Sequence, residues 1–127
     1  MTKIQKIGNI DIEKLNGEFG IVQTSEIIIT SERVAHIQHR HPEDYALFEE
    51  YSLDAITNPD CIIKDEKHAG TVFLIKKLEG TNLNVVVRLV LCSDNDKLKN
   101  SVMTFYRIRE KNLKKLEKKN KVLYRKE

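Results

Sequence analysis

Glu26-Ile-Ile-Ile-Thr-Ser-Glu-Arg-Val-Ala-His-Ile-Gln-His-Arg-His-Pro-Glu-Asp-Tyr45 changes its periodicity as it runs, and the places where it changes set the fold. The apolar run Ile27–Ile29 reads as a short strand. Ser31, with Thr30 as the alternative, then caps a helix whose first turn opens on Glu32 and Arg33. Val34, Ile37 and His41 fall on one face of that helix. Arg33, His36 and Arg40 fall on another, which brings His36 near Arg40. Pro42 breaks or bends the helix, because the residue before a proline avoids the helical region. A second helix follows over about 43–57. Its buried stripe comes from Tyr45, Phe48 and Leu53, or from Ala46, Leu47 and Tyr51. Asn58-Pro59-Asp60 marks a turn.

Upstream, Ile4, Ile7, Ile10 and Ile12 are spaced among polar residues ahead of Asn16-Gly17 and Gly20, the pattern of short strands or a loose hairpin. Downstream the chain becomes strand-rich. A short strand over 61–64 leads through a turn at 65–70 into strands over 71–78 and 84–92, which a Gly80-Thr81-Asn82 turn joins. A polar loop over 93–99 precedes a last strand over 101–108. From Arg109 to about residue 125 a basic helix carries a thin apolar seam of Leu113, Leu116, Asn120 and Leu123. The expected class is therefore α+β: N-terminal helices packed on an antiparallel sheet of about four strands, followed by a basic C-terminal helix. At 127 residues this is expected to be a single domain over 1–127.

Composition narrows the function classes. With 40% apolar and 32% charged residues the chain reads as a soluble globular protein, and two prolines and five glycines argue against long linkers. No apolar run approaches the ~20 residues of a membrane span, and the N-terminal residues lack the apolar stretch of a signal peptide. Cys61 and Cys92 lie in apolar runs and read as reduced, buried thiols. Together these point to the cytoplasm. Charge is unevenly spread: residues 97–127 carry 12 Lys and Arg against 3 Asp and Glu, whereas residues 1–96 carry 10 against 16. A basic tail on an acidic body indicates a polyanionic partner, since Lys and Arg beside phosphates release condensed counterions. The competing reading is a solvated helix surface.

Candidate chemistry gathers in two places. Three of the 4 histidines, His36, His39 and His41, lie together beside Arg33 and Arg40, and imidazole is the side chain that exchanges protons near neutrality. Spacing of i, i+3, i+5 does not put three imidazoles on one helix face, and no cysteine or paired carboxylate completes a tetrahedral set, so no metal site is read here. His39 faces solvent; His41, in line with Val34 and Ile37, also reads as a core histidine. His68, in a turn, reads as a surface residue. The second place follows from strand parity. Val85, Val87, Leu89 and Leu91 form a core face, so Arg88 points the opposite way between Val86 and Val90. Thr104 and Tyr106 share one face of the last strand, and Lys76 is available two strands along. The set reads either as a phosphate-binding cluster or as an ordinary wet sheet face.

The run over 27–45 resembles the signature of the phage-associated barnase/EndoU/colicin/RelE-like (BECR fold) nuclease domains. Two further matches come in the same order, Asn58-Pro59-Asp60 before a short strand and Asn100-Ser101-Val102-Met103-Thr104 opening the last one. The likeness spans about 20–108 and leaves the basic helix over 109–125 outside it. It implies N-terminal helices on an antiparallel sheet, an active site in the cleft between them, and RNA cleavage without metal or other cofactor. By position, the motif histidines fall on His36 and His41, the motif arginine on Arg40, and the last-strand serine and threonine on Ser101 and Thr104. Arg88 is added from strand parity.

RNA brings its own nucleophile, the 2′-OH, so such a site needs a proton acceptor, a proton donor and groups that stabilise the phosphorane. The expectation casts His36 as general base or acid and His41 as the second proton-transfer or orienting group. Arg40 and Arg88 hold the phosphate, Thr104 with Tyr106 or Ser101 donates hydrogen bonds, and Lys76 and Ser101 bind substrate. Partners would be an RNA substrate and, for a toxin of a phage or mobile element, a neutralising immunity protein or antitoxin. The alternative is a non-catalytic nucleic-acid-binding module that uses the basic C-terminal helix. A third reading is an interaction domain of phage structural machinery.

Overall fold

A seven-stranded mixed sheet organises the computed structural model, which describes residues 3–91, 94 and 99–126. β1 (Ile4–Asn9) and β2 (Glu26–Thr30) pair antiparallel, and their connection contains a short 3-10 turn, Ile12–Leu15. α1 (Ser31–Arg40) and α2 (Pro42–Thr57) follow. A meander of β3 (Cys61–Lys64), β4 (Thr71–Leu78), β5 (Thr81–Arg88) and β6 (Asn100–Ile108) comes next, then α3 (Glu110–Lys119) and β7 (Val122–Arg125). In space the order is β1-β2-β6-β5-β4-β3-β7. Among the described residues only β2 and β6 run parallel, through Ile27↔Asn100 and Ile28↔Ser101.

The molecule is α+β, but the expectation of N-terminal helices on about four antiparallel strands is corrected. The four meander strands are present, though β5 starts at Thr81, inside the expected turn, and stops at Arg88 instead of running over 84–92; β1, β2 and β7 enlarge the sheet. Two strands precede the helices, and the basic helix ends at Lys119 rather than near residue 125. The short strand expected upstream is present as β1, most of it exposed and its register broken by a bulge between Lys6 and Gly8. β7 is disguised by Leu123, which continues the helical spacing of Leu113, Leu116 and Asn120. Asn120 ends the helix in extended backbone, its side-chain amide turned back onto the Leu116 carbonyl at 3.0 Å. The readings of Cys92 and of most of the loop over 93–99 fall outside the described residues.

Around residues 26–45 the local reading holds. Thr30 is the N-cap of α1, its hydroxyl accepting from the Arg33 N–H at 3.2 Å. α1 stops at Arg40, and Pro42 occupies the first turn of α2, where its missing N–H costs nothing. Ile37 is fully buried, and Phe48 meets Phe105 of β6 edge-on at 5.0 Å. Of the two stripes offered for α2, neither is right alone: Phe48, Ala55 and Ile56 are buried, whereas Leu53 is exposed.

Strand alternation divides the interior into two layers, one on each side of the sheet. On the first side, Leu83, Val85, Val87 and Leu89 pack with Val72, Leu74, Val102 and Phe105 beneath Ile37, Phe48 and Ile56 of α1 and α2. On the second, Phe73, Ile75, Val86, Cys61, Ile63 and Ile108 pack beneath Leu113 of α3. α3 is short, so it covers only part of that second face.

Candidate active site

What α3 leaves uncovered is an open groove of about 1420 Å³. Phe73, Val86, Arg88, Thr104 and Tyr106 line it from β4, β5 and β6, the β3–β4 loop from Asp65 to Ala69 borders it, and Asn112, Lys115 and Lys119 of α3 face it. Register sets the strand residues side by side: Val86 pairs with Phe73 and Thr104, Asn84 with Tyr106, and Arg88 with Thr71. Arg88 and Thr104 are thus diagonal neighbours on one face, within reach of long side chains.

The Arg88 guanidinium rests on Gly70. A Cβ added there would displace the guanidinium, and Gly70 has φ +73°, a backbone conformation that favours glycine. Nη1 donates to the Leu89 carbonyl at 2.6 Å and lies 3.9 Å from an Asp94 carboxylate oxygen. One hydrogen bond of the five-donor fork is spent on the backbone, and the half-exposed remainder faces the groove. Tyr106 is held by Asn84, whose buried amide donates to Oη at 3.0 Å. Burial raises the Tyr106 pKa, the Asn84 hydrogen bond opposes the shift, and the negative charge of Asp65 adds to it. The phenol therefore keeps its proton at neutral pH and presents an O–H donor.

The loop opposite is pinned by its own hydrogen bonds. Asp65 is buried, and its Oδ1 accepts from the Lys67 N–H at 2.9 Å, an Asx turn. Its Oδ2 lies 2.8 Å from Nδ1 of His68, whose ring is otherwise exposed. The Thr71 N–H donates to the His68 carbonyl at 3.2 Å, closing the turn that Gly70 ends, and Asn120 Oδ1 accepts from the Glu66 N–H at 2.9 Å. His68 lines the groove. In sequence it reads only as a surface histidine; the signal that points further is an Asp-X-X-His spacing across a turn closed by glycine.

Lys67, Arg88, Lys115 and Lys119 line the groove against Asp65 and Glu66, and the Asp65 carboxylate is engaged within its own loop. The field there favours an anion. Among the described residues no group of three or more His, Cys, Asp or Glu side chains is placed to hold a metal ion.

The expected site residues separate. Arg88, Thr104 and Tyr106 meet in the groove. His36, Arg40 and His41 do not line it: α1 packs through Ile37 on the other face of the sheet, with His36 and Arg40 exposed and His41 half-buried ahead of α2. Lys76 also points to that other face, 2.9 Å from Asp54 of α2 and 3.1 Å from the Asn58 carbonyl. Ser101 donates to the Lys99 carbonyl at 3.0 Å. Its neighbour Asn100 is structural, bridging Val90 N–H to the Thr24 and Glu26 carbonyls. Arg107, paired with Leu83 on β5, shares the face of Lys76, and its guanidinium meets buried Asp44 of α2 at 2.5 Å and Glu43 at 3.3 Å.

The groove carries more cations than anions, and comparison with known families gives the class. The PBECR3 family model, phage-Barnase-EndoU-ColicinE5/D-RelE like nuclease3, matches residues 5–115, most of the chain, and the chain belongs to that nuclease family. The matched span runs from β1 through Lys115 of α3, so the helix that walls the groove begins within it. No match is found among curated proteins or solved structures. No helix among the described residues is long and apolar enough to cross a membrane.

Proposed function

We propose that this nuclease is a metal-independent endoribonuclease whose substrate phosphate sits in the groove over β5 and β6. The observation that carries the reading is the convergence of Arg88, Thr104 and Tyr106 on a groove with cations in excess. The RNA 2′-oxygen attacks the adjacent phosphorus, and the P–O5′ bond breaks, leaving a 2′,3′-cyclic phosphate and a 5′-OH. Charge builds on the non-bridging oxygens only in the transition state, where a fixed guanidinium and two hydroxyl donors lower the barrier most. Lys115 and Lys119 extend the positive surface along the strand path. A toxin-like role in the cytoplasm of a cell carrying a phage or mobile element, restrained by an immunity protein or antitoxin, belongs to the same reading and is supported by the phage origin in the family description.

The test uses an end-labelled oligoribonucleotide and the same strand with a single 2′-deoxy substitution at the cleaved position, with and without chelator. Cleavage of the all-ribose strand alone, surviving chelator and yielding cyclic-phosphate ends, is expected. Arg88→Ala should reduce kcat/KM by about 10²–10³. Equal cleavage of the deoxy strand rules out the 2′-OH route. The alternative, a binding module without catalysis, draws support from the same α3 lysines, and a gel shift with intact RNA would select it. The assignment of proton transfer and phosphate binding to His36, His41 and Arg40 stands as the other arrangement, and His36→Ala measured beside Arg88→Ala separates the two.

A further inference from the structure

Transfer of the 2′-OH proton needs an acceptor within the groove. We infer that His68, held by Asp65 at the mouth of the groove, is that acceptor; the inference rests on the proposed ribonuclease reading and adds the residue that starts the reaction. Two observations support it. His68 and Asp65 line the same groove as Arg88, Thr104 and Tyr106. Gly70, two residues on in the same tight turn, is in contact range of the Arg88 guanidinium, so the phosphate-binding fork and the imidazole are set by one loop.

The chemistry follows from the hydrogen bond. An ionised carboxylate only accepts, so at 2.8 Å from Asp65 Oδ2 the His68 Nδ1 carries the proton. In the neutral ring Nε2 is then bare and free to accept, and the ring is exposed enough to meet substrate. Nε2 takes the 2′-OH proton as the 2′-oxygen bonds to phosphorus. The P–O5′ bond breaks, and the 5′-oxygen takes a proton from water in the open groove. The resulting hydroxide is neutralised when the imidazolium gives up its proton, so one strand yields a cyclic phosphate and a 5′-hydroxyl with no net consumption of acid or base. Asp65 touches no substrate in this scheme; it is a positioning residue that fixes tautomer and ring direction.

The full-length chain is compared with His68→Ala, Asp65→Asn and Arg88→Ala on the all-ribose oligonucleotide, with folding checked by circular dichroism. His68→Ala is expected to lower kcat by about 10²–10⁴ with KM little changed. Asp65→Asn preserves the acceptor for the Lys67 N–H and should lower kcat rather than raise KM. Independently of activity, ¹⁵N imidazole shifts should show His68 with its proton on Nδ1 in the wild type, and a loss of that preference in Asp65→Asn. A His68→Ala protein that cleaves at the wild-type rate while Arg88→Ala does not overturns the assignment and leaves the groove reading intact, whereas a rate lost in His36→Ala alone overturns both. A wild-type ring protonated on Nε2 also overturns the assignment. Wild-type protein that leaves RNA whole overturns both.

Discussion

Gly70 and Arg88 show how much one residue without a side chain can decide. Any Cβ at position 70 meets the guanidinium and forces a non-glycine residue into a left-handed conformation. Gly70→Ala should therefore cost about 1–2 kcal/mol in a urea unfolding curve from backbone strain. It should also weaken RNA cleavage by displacing Arg88, an effect that a distant destabilising substitution of equal size does not reproduce. Cys61 makes a second prediction. Burial, aided by the negative charge of Glu117, raises its pKa from 9.0 to about 11. The unfolded thiol ionises first, so its contribution is present below pH 9 and is lost as pH rises toward 11. Wild type should lose stability more steeply over that window than Cys61→Ala, by about 1.4 kcal/mol per pH unit at most. Arg88 is legible from parity alone, because the apolar Val85, Val87 and Leu89 fix which way it faces. His68 is not, since nothing in a linear reading shows that its turn folds against the sheet's open side.

Among elements, α3 and β7 carry the largest difference between expectation and structure. Sequence spacing makes them one basic helix; the chain makes a helix that walls the groove and a strand that closes the sheet on β3. Charge says that the segment is basic, but not which lysines share a face with the groove. Leu123 of β7 is buried in the first layer, and Tyr124 lies under the Lys14 ammonium of the 3-10 turn at 4.8 Å to the ring centroid. Leu123→Ala should then lower stability by roughly 2–4 kcal/mol in denaturant titration, whereas a solvated helix end would tolerate it. On α3, replacing Lys115 and Lys119 with alanine should reduce the salt dependence of RNA binding. The log–log slope is expected to fall by about 0.7 for every single-strand phosphate that a lysine no longer neutralises. An unchanged slope would remove α3 from the RNA path.

For the whole molecule, the sheet is a partition. Helices α1 and α2 fill one side, α3 half-covers the other, and the motif over 26–45 that dominates the sequence lies with the first. Local reading therefore recovers the helices, the break at Pro42 and the strands of the meander, because each follows from short-range chemistry. It does not recover which motif faces which side, since that depends on pairings between distant strands. On the first side, Arg107 ties β6 to α2. Removing it leaves buried Asp44 without its cation, so Arg107→Ala should destabilise the fold by about 2 kcal/mol, discounted for the half-exposed guanidinium. Circular-dichroism melting would read this as a lower Tm.

The parallel seam between β2 and β6 also bears on how the chain reaches this state. Ile27 waits for Asn100, and the Asn100 amide reaches back across 74 and 76 positions to the Glu26 and Thr24 carbonyls. On a ribosome the opening ribbon would emerge long before its dock exists, leaving Ile27 and Ile29 unsheltered until β6 is made. Completion of the sheet is thus a late event in biosynthesis.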